Sequence, residues 1–228
     1  FGGETPPVTV SFTGTGFLVD ARGVLMTNRH LARPWEMDPA TRQLIGPDLE
    51  PRLLRFRAFF PGVPAPFDLT VASVSEQADL ALLRYDPGGL KIPALPLASS
   101  PTGVTVGESI LVLGYPTGFD ALLARAAQHV SSDIMKRAGT DADRLAQALA
   151  EHKLIRPLAT QGHVGDRLPD RLLYDAQTTQ GGSGGPVFNL RGEVIAVNSM
   201  ILRRFGGANM GVPVQFGIEL LKRTQQSS

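Results

Sequence analysis

The chain has 228 residues, enough for one domain or for two small lobes that share a core. Its hydrophobic content of 43% allows such a core, and its net charge of +1 argues against a nucleic-acid partner or an anionic membrane surface. The absence of cysteine excludes disulfides, thiol catalysis and cysteine-ligated metals. No apolar run reaches the length of a membrane span, and the first ten residues lack the apolar core of a signal peptide.

Short apolar runs, each bounded by glycine, proline or another turn residue, dominate the chain. Runs of four to eight residues with this punctuation predict β-strands, and the near absence of helical patterns between the early runs argues against a βαβ fold. The predicted strands are VTVSF (8–12), TGFLVD (15–20), GVLMTN (23–28), LTVASV (69–74), DLALLRY (79–85), ESILVLGYP (108–116), RLLYDA (171–176) and EVIAVNSM (193–200).

A connector rich in proline, glycine and serine covers residues 86–103. It predicts a division of the chain into an N-terminal lobe of about 1–90 and a C-terminal lobe of about 104–228. Many short strands in both halves favour a barrel or sandwich architecture.

Residues 117–155 differ from the rest, because their apolar residues recur at helical spacing. Thr117 with Asp120 predicts a capping box, Gly139 predicts a helix end, and Thr140 predicts the start of a second helix. The apolar stripe of this predicted hairpin consists of Leu122, Ala126, Val130, Ile134, Leu145, Leu149 and Leu154.

Two interpretations of this helical insertion are open: a packing element, or a lid or docking surface for a regulator over residues 117–154. The final segment predicts a short C-terminal helix through Ile218, Leu221 and Lys222.

Four glycines surround a single serine in GGSGGP, residues 181–186. A serine hydroxyl becomes a nucleophile when a base takes its proton, and the oxyanion that forms needs preorganised donors. Gly181 and Gly182 can adopt a positive φ, which would turn the N–H groups of Gly181 and Ser183 toward one point. A plain glycine-rich turn is the competing interpretation.

The base must be one of four histidines. His30 ends an apolar strand among small and polar neighbours, which favours it. His129 and His152 lie on the helical insertion and are expected to be solvated. His163 lies in a predicted turn and is the reserve candidate.

Asp79 is the best acceptor for the imidazole, because it stands at the start of an apolar strand, where a carboxylate needs a partner. Asp68 and Asp86 have turn-like surroundings. The order His30, Asp79, Ser183 is that of chymotrypsin. The α/β-hydrolase order requires a histidine after the serine, and none follows Ser183.

Segments 14–32, 78–85, 174–201 and 206–223 together resemble the chymotrypsin-fold serine proteases and, within them, the HtrA-like trypsin-like peptidases. The resemblance implies an all-β fold of two antiparallel six-stranded barrels, with the helical insertion in the second lobe. It also implies a serine endopeptidase that acts through an acyl-enzyme, without a metal or cofactor, on a protein or peptide. His30, Asp79 and Ser183 would be catalytic, and the N–H groups of Gly181 and Ser183 would form the oxyanion hole.

Some positions depart from the family pattern. Gly182 stands where digestive relatives have an aspartate, so activation by N-terminal cleavage is not expected. The residue six before the nucleophile is Gln177, which does not favour cleavage after Lys or Arg. We expect a small or medium uncharged P1 side chain. The resemblance implies substrate-binding roles for Gln177, Thr178, Asn198, Ser199 and Met200.

An alternative function is a latent or catalytically silent protease-fold binding module that needs a partner to order the oxyanion loop. No PDZ domain follows within the 228 residues, although HtrA proteins usually carry one. The resemblance favours an extracytoplasmic location, and an intracellular domain of a larger protein is the other possibility. The oligomeric state does not follow from the sequence.

Overall fold

Strands and short helices alternate along the computed structural model, which describes residues 9–37, 51–99, 104–179, 181–201 and 208–226, with only the backbone of Met200 and Ile201. The strands are β1 (Phe17–Asp20), β2 (Val24–Thr27), β3 (Arg57–Ala58), β4 (Phe67–Asp68), β5 (Thr70–Val74), β6 (Ala81–Arg84), β7 (Ser109–Gly114), β8 (Leu158–Arg167), β9 (Leu172–Tyr174), β10 (Pro186–Phe188), β11 (Val194–Ile201) and β12 (Asn209–Pro213). The helices are α1 (Arg29–Ala32), α2 (Pro34–Met37), α3 (Phe119–Ala124), α4 (Gln128–Ala138), α5 (Ala142–Glu151) and α6 (Val214–Gln226).

The second lobe is a closed antiparallel barrel with the strand order β10-β11-β12-β9-β8-β7. The ring closes where Val187 of β10 pairs with Val112 of β7. Val187, Val112 and Tyr174 are almost completely buried, so their side chains help to fill the barrel interior. Closure leaves none of these six strands as an exposed sheet edge.

The first lobe contains a four-stranded antiparallel sheet, β1-β2-β6-β5, and a separate two-stranded ribbon, β3-β4. The two faces of the sheet have different partners. Leu25 and Leu83 pack on the lobe's own aromatic cluster, in which the ring centroids of Phe60 and Tyr85 are 5.1 Å apart. Because the strands are buried on both faces, their sequences are continuous apolar runs.

The opposite face of this sheet belongs to a core shared by both lobes. Met26 and Leu82 are fully buried in one cluster with Val197 of the barrel and Val214 of α6. A Cβ at Gly217 would lie 2.6 Å from the sulfur of Met26, so α6 approaches β2 at a position where a side chain does not fit. The C-terminal helix therefore joins the two lobes.

The predicted β-rich architecture, with its helical insertion and C-terminal helix, is confirmed. In the described residues, however, the six strands of the first lobe form a sheet and a ribbon rather than one closed ring. The predicted strand at 8–12 is wrong for its described part, because residues 9–12 are in no strand. The C-terminal helix has 13 residues and contains Ile218, Leu221 and Lys222, as predicted.

The connector between the lobes touches each of them in turn. The N–H of Leu95 donates to the carbonyl of Leu18, and the N–H of Ala98 donates to the carbonyl of Val194. Residues 100–103 of the predicted connector lie outside the described residues.

The helical insertion begins differently from its sequence prediction. The capping box of Thr117 and Asp120 is wrong, because α3 begins at Phe119 and its N-cap, Gly118, makes no side-chain cap. Thr117 itself has a φ of +57°, which a helix N-cap does not adopt. The helix that was predicted to start at Thr140 is α5, and it is capped by Asp141, which accepts from the N–H of Arg144.

The apolar stripe from Leu122 to Ile134 does not form one helix, because the chain leaves helical geometry at residues 125–127. In a continuous helix these two residues would be about 18 Å apart along the axis. The break instead lets both side chains enter one apolar cluster with Leu149. The predicted helix end at Gly139 is confirmed, since its N–H donates to Met135 and its φ is +59°.

The insertion also packs on the first lobe. Phe59 is in contact with its apolar cluster. Arg55 forms an ion pair with Asp143, and the side-chain amide of Gln147 donates to the carbonyl of Pro64. Within the described residues, no helix has both the length and the apolar character that crossing a membrane requires.

Candidate active site

His30 lies on the four-residue helix α1, directly after strand β2. Two neighbours tie this helix to the loop before β6. The amide of the fully buried Asn28 donates to the carbonyl of Asp79 at 2.9 Å, and the guanidinium of Arg29 donates to the carbonyl of Ser75 at 2.9 Å. The backbone that carries the histidine and the backbone that carries the aspartate are therefore held together.

The side chains of His30 and Asp79 form a two-point contact. Nδ1 of His30 is 2.8 Å from Oδ2 of Asp79, and the backbone N–H of His30 donates to Oδ1 at 3.0 Å. Because an ionised carboxylate only accepts, Nδ1 carries the proton. The neutral ring then has its lone pair on Nε2, the nitrogen that a general base requires.

A third donor reaches the same carboxylate from the second lobe. The hydroxyl of Ser199 donates to Oδ2 of Asp79 at 2.6 Å. Burial alone would raise the pKa of Asp79, but the hydrogen bond and charge of His30 and the hydroxyl of Ser199 outweigh it and hold this pKa below its ordinary value. Asp79 therefore remains ionised under the imidazole at neutral pH.

Ser183 is half-buried in the loop between β9 and β10. Its hydroxyl donates to the carbonyl of Ser199 at 3.1 Å. Among the described residues it makes no hydrogen bond to His30. Ser199 thus contacts both the acid, through its hydroxyl, and the serine, through its carbonyl.

The backbone around Ser183 is fixed by contacts from the barrel. The amide of Asn198 donates to the carbonyl of Gly182 at 2.8 Å. In a trans peptide the N–H points opposite to the carbonyl, so the N–H of Ser183 points away from the barrel interior. This N–H has no acceptor among the described residues, as an oxyanion-hole donor requires.

Gly184 shows why a glycine is needed after the serine. Its φ is +85°, and a Cβ there would overlap the carbonyl oxygen of Thr15. Gly181 has a φ of +93°. The N–H of Gly181 belongs to a peptide unit that begins at Gln180, which lies outside the described residues.

The residues expected to bind substrate have different surroundings. Asn198 is 2% exposed; its side-chain oxygen accepts from the hydroxyl of Tyr174 at 2.6 Å, and its amide also reaches Oγ1 of Thr178 at 3.3 Å. Gln177 is exposed and Thr178 is half-buried. The side chain of Met200 lies outside the described part of the chain.

Sequence reasoning missed Tyr174 as a support of this loop. Burial raises the pKa of its hydroxyl far above the usual range, so the hydroxyl stays protonated and donates to Asn198. The available signal was Asn198 itself, since a polar residue among the apolar residues of a barrel strand is buried and needs a partner inside the barrel.

The other histidines are exposed, as expected for His129 and His152. His163 lies on β8 rather than in a turn, and its Nδ1 is 3.8 Å from a carboxylate oxygen of Asp175. Asp68 and Asp86 are exposed.

Comparison with known proteins identifies the family of the chain. The trypsin-like peptidase domain family matches residues 14–197. The chain is 27% identical to a putative serine protease HhoA of Synechocystis sp., over 88% of this chain and 40% of that protein. It is 25% identical to a probable periplasmic serine endoprotease, DegP-like, of Hahella chejuensis, over 97% of this chain and 37% of that protein.

A mitochondrial serine protease HTRA2 of Drosophila pseudoobscura is 28% identical, over 96% of this chain and 40% of that protein. The chain thus spans about two fifths of the length of these curated relatives. The crystal structure of a serine endoprotease from Yersinia pestis has a TM-score of 0.62 at 16% identity and covers 96% of this chain and 60% of that one, which shows a common fold. The match over residues 14–197 includes His30, Asp79 and Ser183, and the chain belongs to the trypsin-like peptidase domain family.

Proposed function

We propose that the chain is a serine endopeptidase that hydrolyses peptide bonds through an acyl-enzyme on Ser183. The observation that carries the proposal is the hydrogen bond from Nδ1 of His30 to Asp79, which leaves the lone pair of Nε2 for a proton. The family match and the names of its serine protease relatives agree with this chemistry.

The proposed reaction begins when Oγ of Ser183 attacks the carbonyl carbon of the scissile bond and its proton passes to Nε2 of His30. The resulting imidazolium is stabilised by Asp79 and then gives the proton to the leaving amine, so that the C–N bond breaks and an ester to Ser183 remains. Water, deprotonated by His30, hydrolyses the ester and releases the acid product.

The negative charge on the former carbonyl oxygen needs donors that are already in place. The N–H of Ser183, which has no acceptor within the described residues, is suited to this role. We assign the N–H of Gly181 as the second donor, by the resemblance to the family.

A rotation of Ser183 is part of the proposal. Its hydroxyl is bonded to the carbonyl of Ser199 and must turn about χ1 to reach Nε2 of His30. Catalytic hydrogen bonds of unliganded enzymes are often long and tighten when substrate binds. The same observation favours the second candidate, a latent protease in which Ser183 stays on Ser199 until a partner or substrate reorders the site.

We propose a small or medium uncharged P1 preference, with a pocket built by Gln177, Thr178, Asn198, Ser199 and Met200. The engaged amide of Asn198 supports this, because both its oxygen and its nitrogen are already bonded within the protein. None of these five residues carries a carboxylate for a basic side chain. A peptide library with all residues at P1 tests the preference. Dominant cleavage after Lys or Arg would contradict it.

The helical insertion is proposed to control substrate access. Its first turn lies on the oxyanion loop, since the N–H of Thr117 donates to Oγ1 of Thr179 at 3.0 Å and Gly118 lies beside Gly181.

The names of the relatives, periplasmic or mitochondrial, support an extracytoplasmic or organellar location, which fractionation of cells expressing the tagged protein would test.

A fluorophosphonate probe tests the catalytic proposal directly. It should label wild type at Ser183, located by mass spectrometry, and should label neither Ser183→Ala nor His30→Ala. Wild type that is folded but unlabelled, while a peptide substrate added beforehand restores labelling, would identify the latent form. No labelling under either condition would contradict the peptidase proposal.

A further inference from the structure

Thr15, just before strand β1 of the first lobe, forms two hydrogen bonds with the oxyanion loop, residues 181–185, which carries Ser183. Its backbone N–H donates to the carbonyl of Ser183 at 2.8 Å, and its hydroxyl donates to the carbonyl of Gly181 at 2.8 Å. The hydroxyl oxygen also accepts from the N–H of Tyr115 at 3.1 Å. Thr15 is 6% exposed, so these bonds are shielded from water.

The loop has little means of holding itself. Residues 181–185 carry one side chain, that of Ser183, and glycine backbones pass readily between conformations. Three successive carbonyls are nevertheless fixed from outside. Thr15 holds those of Gly181 and Ser183, and Asn198 holds that of Gly182.

Fixing a carbonyl fixes the whole planar peptide unit to which it belongs. The N–H of Gly182, which shares a unit with the carbonyl of Gly181, accordingly donates to Thr179 at 3.0 Å. The N–H of Gly184, which shares a unit with the carbonyl of Ser183, donates to Asn198 at 2.8 Å. Thr15 therefore sets the orientation of the units on both sides of the one that carries the free N–H of Ser183.

We propose that Thr15 is a positioning residue for catalysis, and that its hydroxyl keeps the oxyanion loop in its working orientation. The inference rests on the proposed peptidase function and names a residue far away in sequence that acts through Gly181. A valine at this position keeps the shape and the backbone N–H but leaves the carbonyl of Gly181 and the N–H of Tyr115 without a partner. A buried polar group without a hydrogen-bond partner is costly, so the peptide unit between Gly181 and Gly182 would rotate until its carbonyl finds another donor.

Thr15→Val is compared with Thr15→Ser on a short peptide substrate. We expect Thr15→Val to lower kcat roughly 10- to 100-fold, less than removal of an oxyanion donor itself, with KM within about twofold. Thr15→Ser should restore kcat to within about threefold of wild type. A peptide boronate, whose adduct with Ser183 places an oxygen in the oxyanion hole, should bind more weakly to Thr15→Val by a similar factor.

Thr27→Val is the matched control, because Thr27 is a buried threonine whose hydroxyl donates to the carbonyl of Thr15 and leaves both loop carbonyls bonded. It should lower Tm to an extent similar to Thr15→Val while kcat stays within about threefold of wild type. Equal losses of kcat in the two variants would reduce Thr15 to a structural residue and overturn the inference.

Amide hydrogen exchange of the segment 175–188 decides the inference without any turnover. Exchange in this segment should be faster in Thr15→Val than in wild type, Thr15→Ser and Thr27→Val. Should the valine variant fail to fold, Thr15→Ala also removes the hydroxyl and gives the same comparison. An inert wild type with this exchange difference would contradict the peptidase proposal alone, whereas unchanged exchange in a folded variant would overturn the role of Thr15.

Discussion

The hydroxyl of Ser199, on a barrel strand of the second lobe, donates a 2.6 Å hydrogen bond to the carboxylate of Asp79, in the first lobe. The carboxylate oxygen that accepts this bond is also the one that meets Nδ1 of His30. The acid of the proposed triad is therefore held from both lobes, and the orientation of the imidazole depends on how the lobes meet.

Ser199→Ala removes this donor and leaves the carbonyl that bonds Ser183. A hydrogen bond to a charged group contributes about 1.5–3 kcal/mol, so the free energy of unfolding at neutral pH should fall by an amount in this range. The pKa of Asp79 should rise toward its ordinary value, which carboxyl carbon NMR can follow. An unchanged pKa would show that Ser199 does not stabilise the ionised acid.

The pH dependence of stability follows from the lowered pKa of Asp79. Because the folded value lies below the unfolded value of about 3.9, ionised Asp79 stabilises the fold fully above that value. This stabilisation is lost as pH falls through the folded value. In denaturant unfolding, wild type should therefore have a larger free energy of unfolding than Asp79→Asn at pH 7. This difference should become smaller as the solution is acidified below pH 4.

A difference in the free energy of unfolding that stays constant over this range would mean that Asp79 is not preferentially ionised in the folded chain.

In Asp79→Asn, kcat should also fall by about 10³- to 10⁴-fold, because an amide no longer fixes the tautomer of His30.

Two glycines with positive φ separate the cost of conformation from the cost of space. A Cβ at Gly192 would meet nothing within 4 Å, so only the left-handed backbone conformation opposes a side chain there. Gly192→Ala should therefore lower the free energy of unfolding by about 1–2 kcal/mol. A Cβ at Gly184 would overlap Thr15, so Gly184→Ala should lower the free energy of unfolding by about 3 kcal/mol or more. This variant should also be inactive. Similar losses in denaturant unfolding would show that the close approach of Thr15 to Gly184 is unimportant.

Replacing residues 120–155 with a short Gly-Ser linker tests control of access by the insertion. If the helices restrict entry, kcat/KM for a folded protein substrate should rise by about tenfold relative to wild type, while that for a short peptide changes less. Met135→Ala, at an exposed insertion position, is the control and should behave as wild type. Unchanged turnover and specificity after the replacement would rule out the gate.

The order of the segments that carry His30, Asp79 and Ser183, and the strand ends near them, could be predicted from the sequence because each pattern is local. Asn28, at the end of β2, and Asp79, before β6, lie where turns interrupt apolar runs, and the antiparallel pairing of these strands brings His30 to Asp79. The contact of Ser199 with Asp79 joins residues 120 positions apart, and nothing in the local pattern of β11 indicates it.

The start of the insertion could not be predicted for a similar reason. Thr117 and Asp120 satisfy the local capping pattern, but Thr117 adopts a positive φ while its N–H bonds Thr179, 62 residues away. The tertiary contact prevails over the local preference. Thr15 illustrates the same limit, since its bond to Gly181 spans 166 residues.

The bonds of Thr15 have a consequence for how the two lobes communicate. They cross from the first lobe to the loop that would bind the oxyanion, so separation of the lobes would release the carbonyls of Gly181 and Ser183. By linkage, a ligand that occupies the oxyanion site must strengthen the association of the lobes by the same factor by which that association strengthens its binding. An inhibitor of this site would thus stabilise the association of the two lobes.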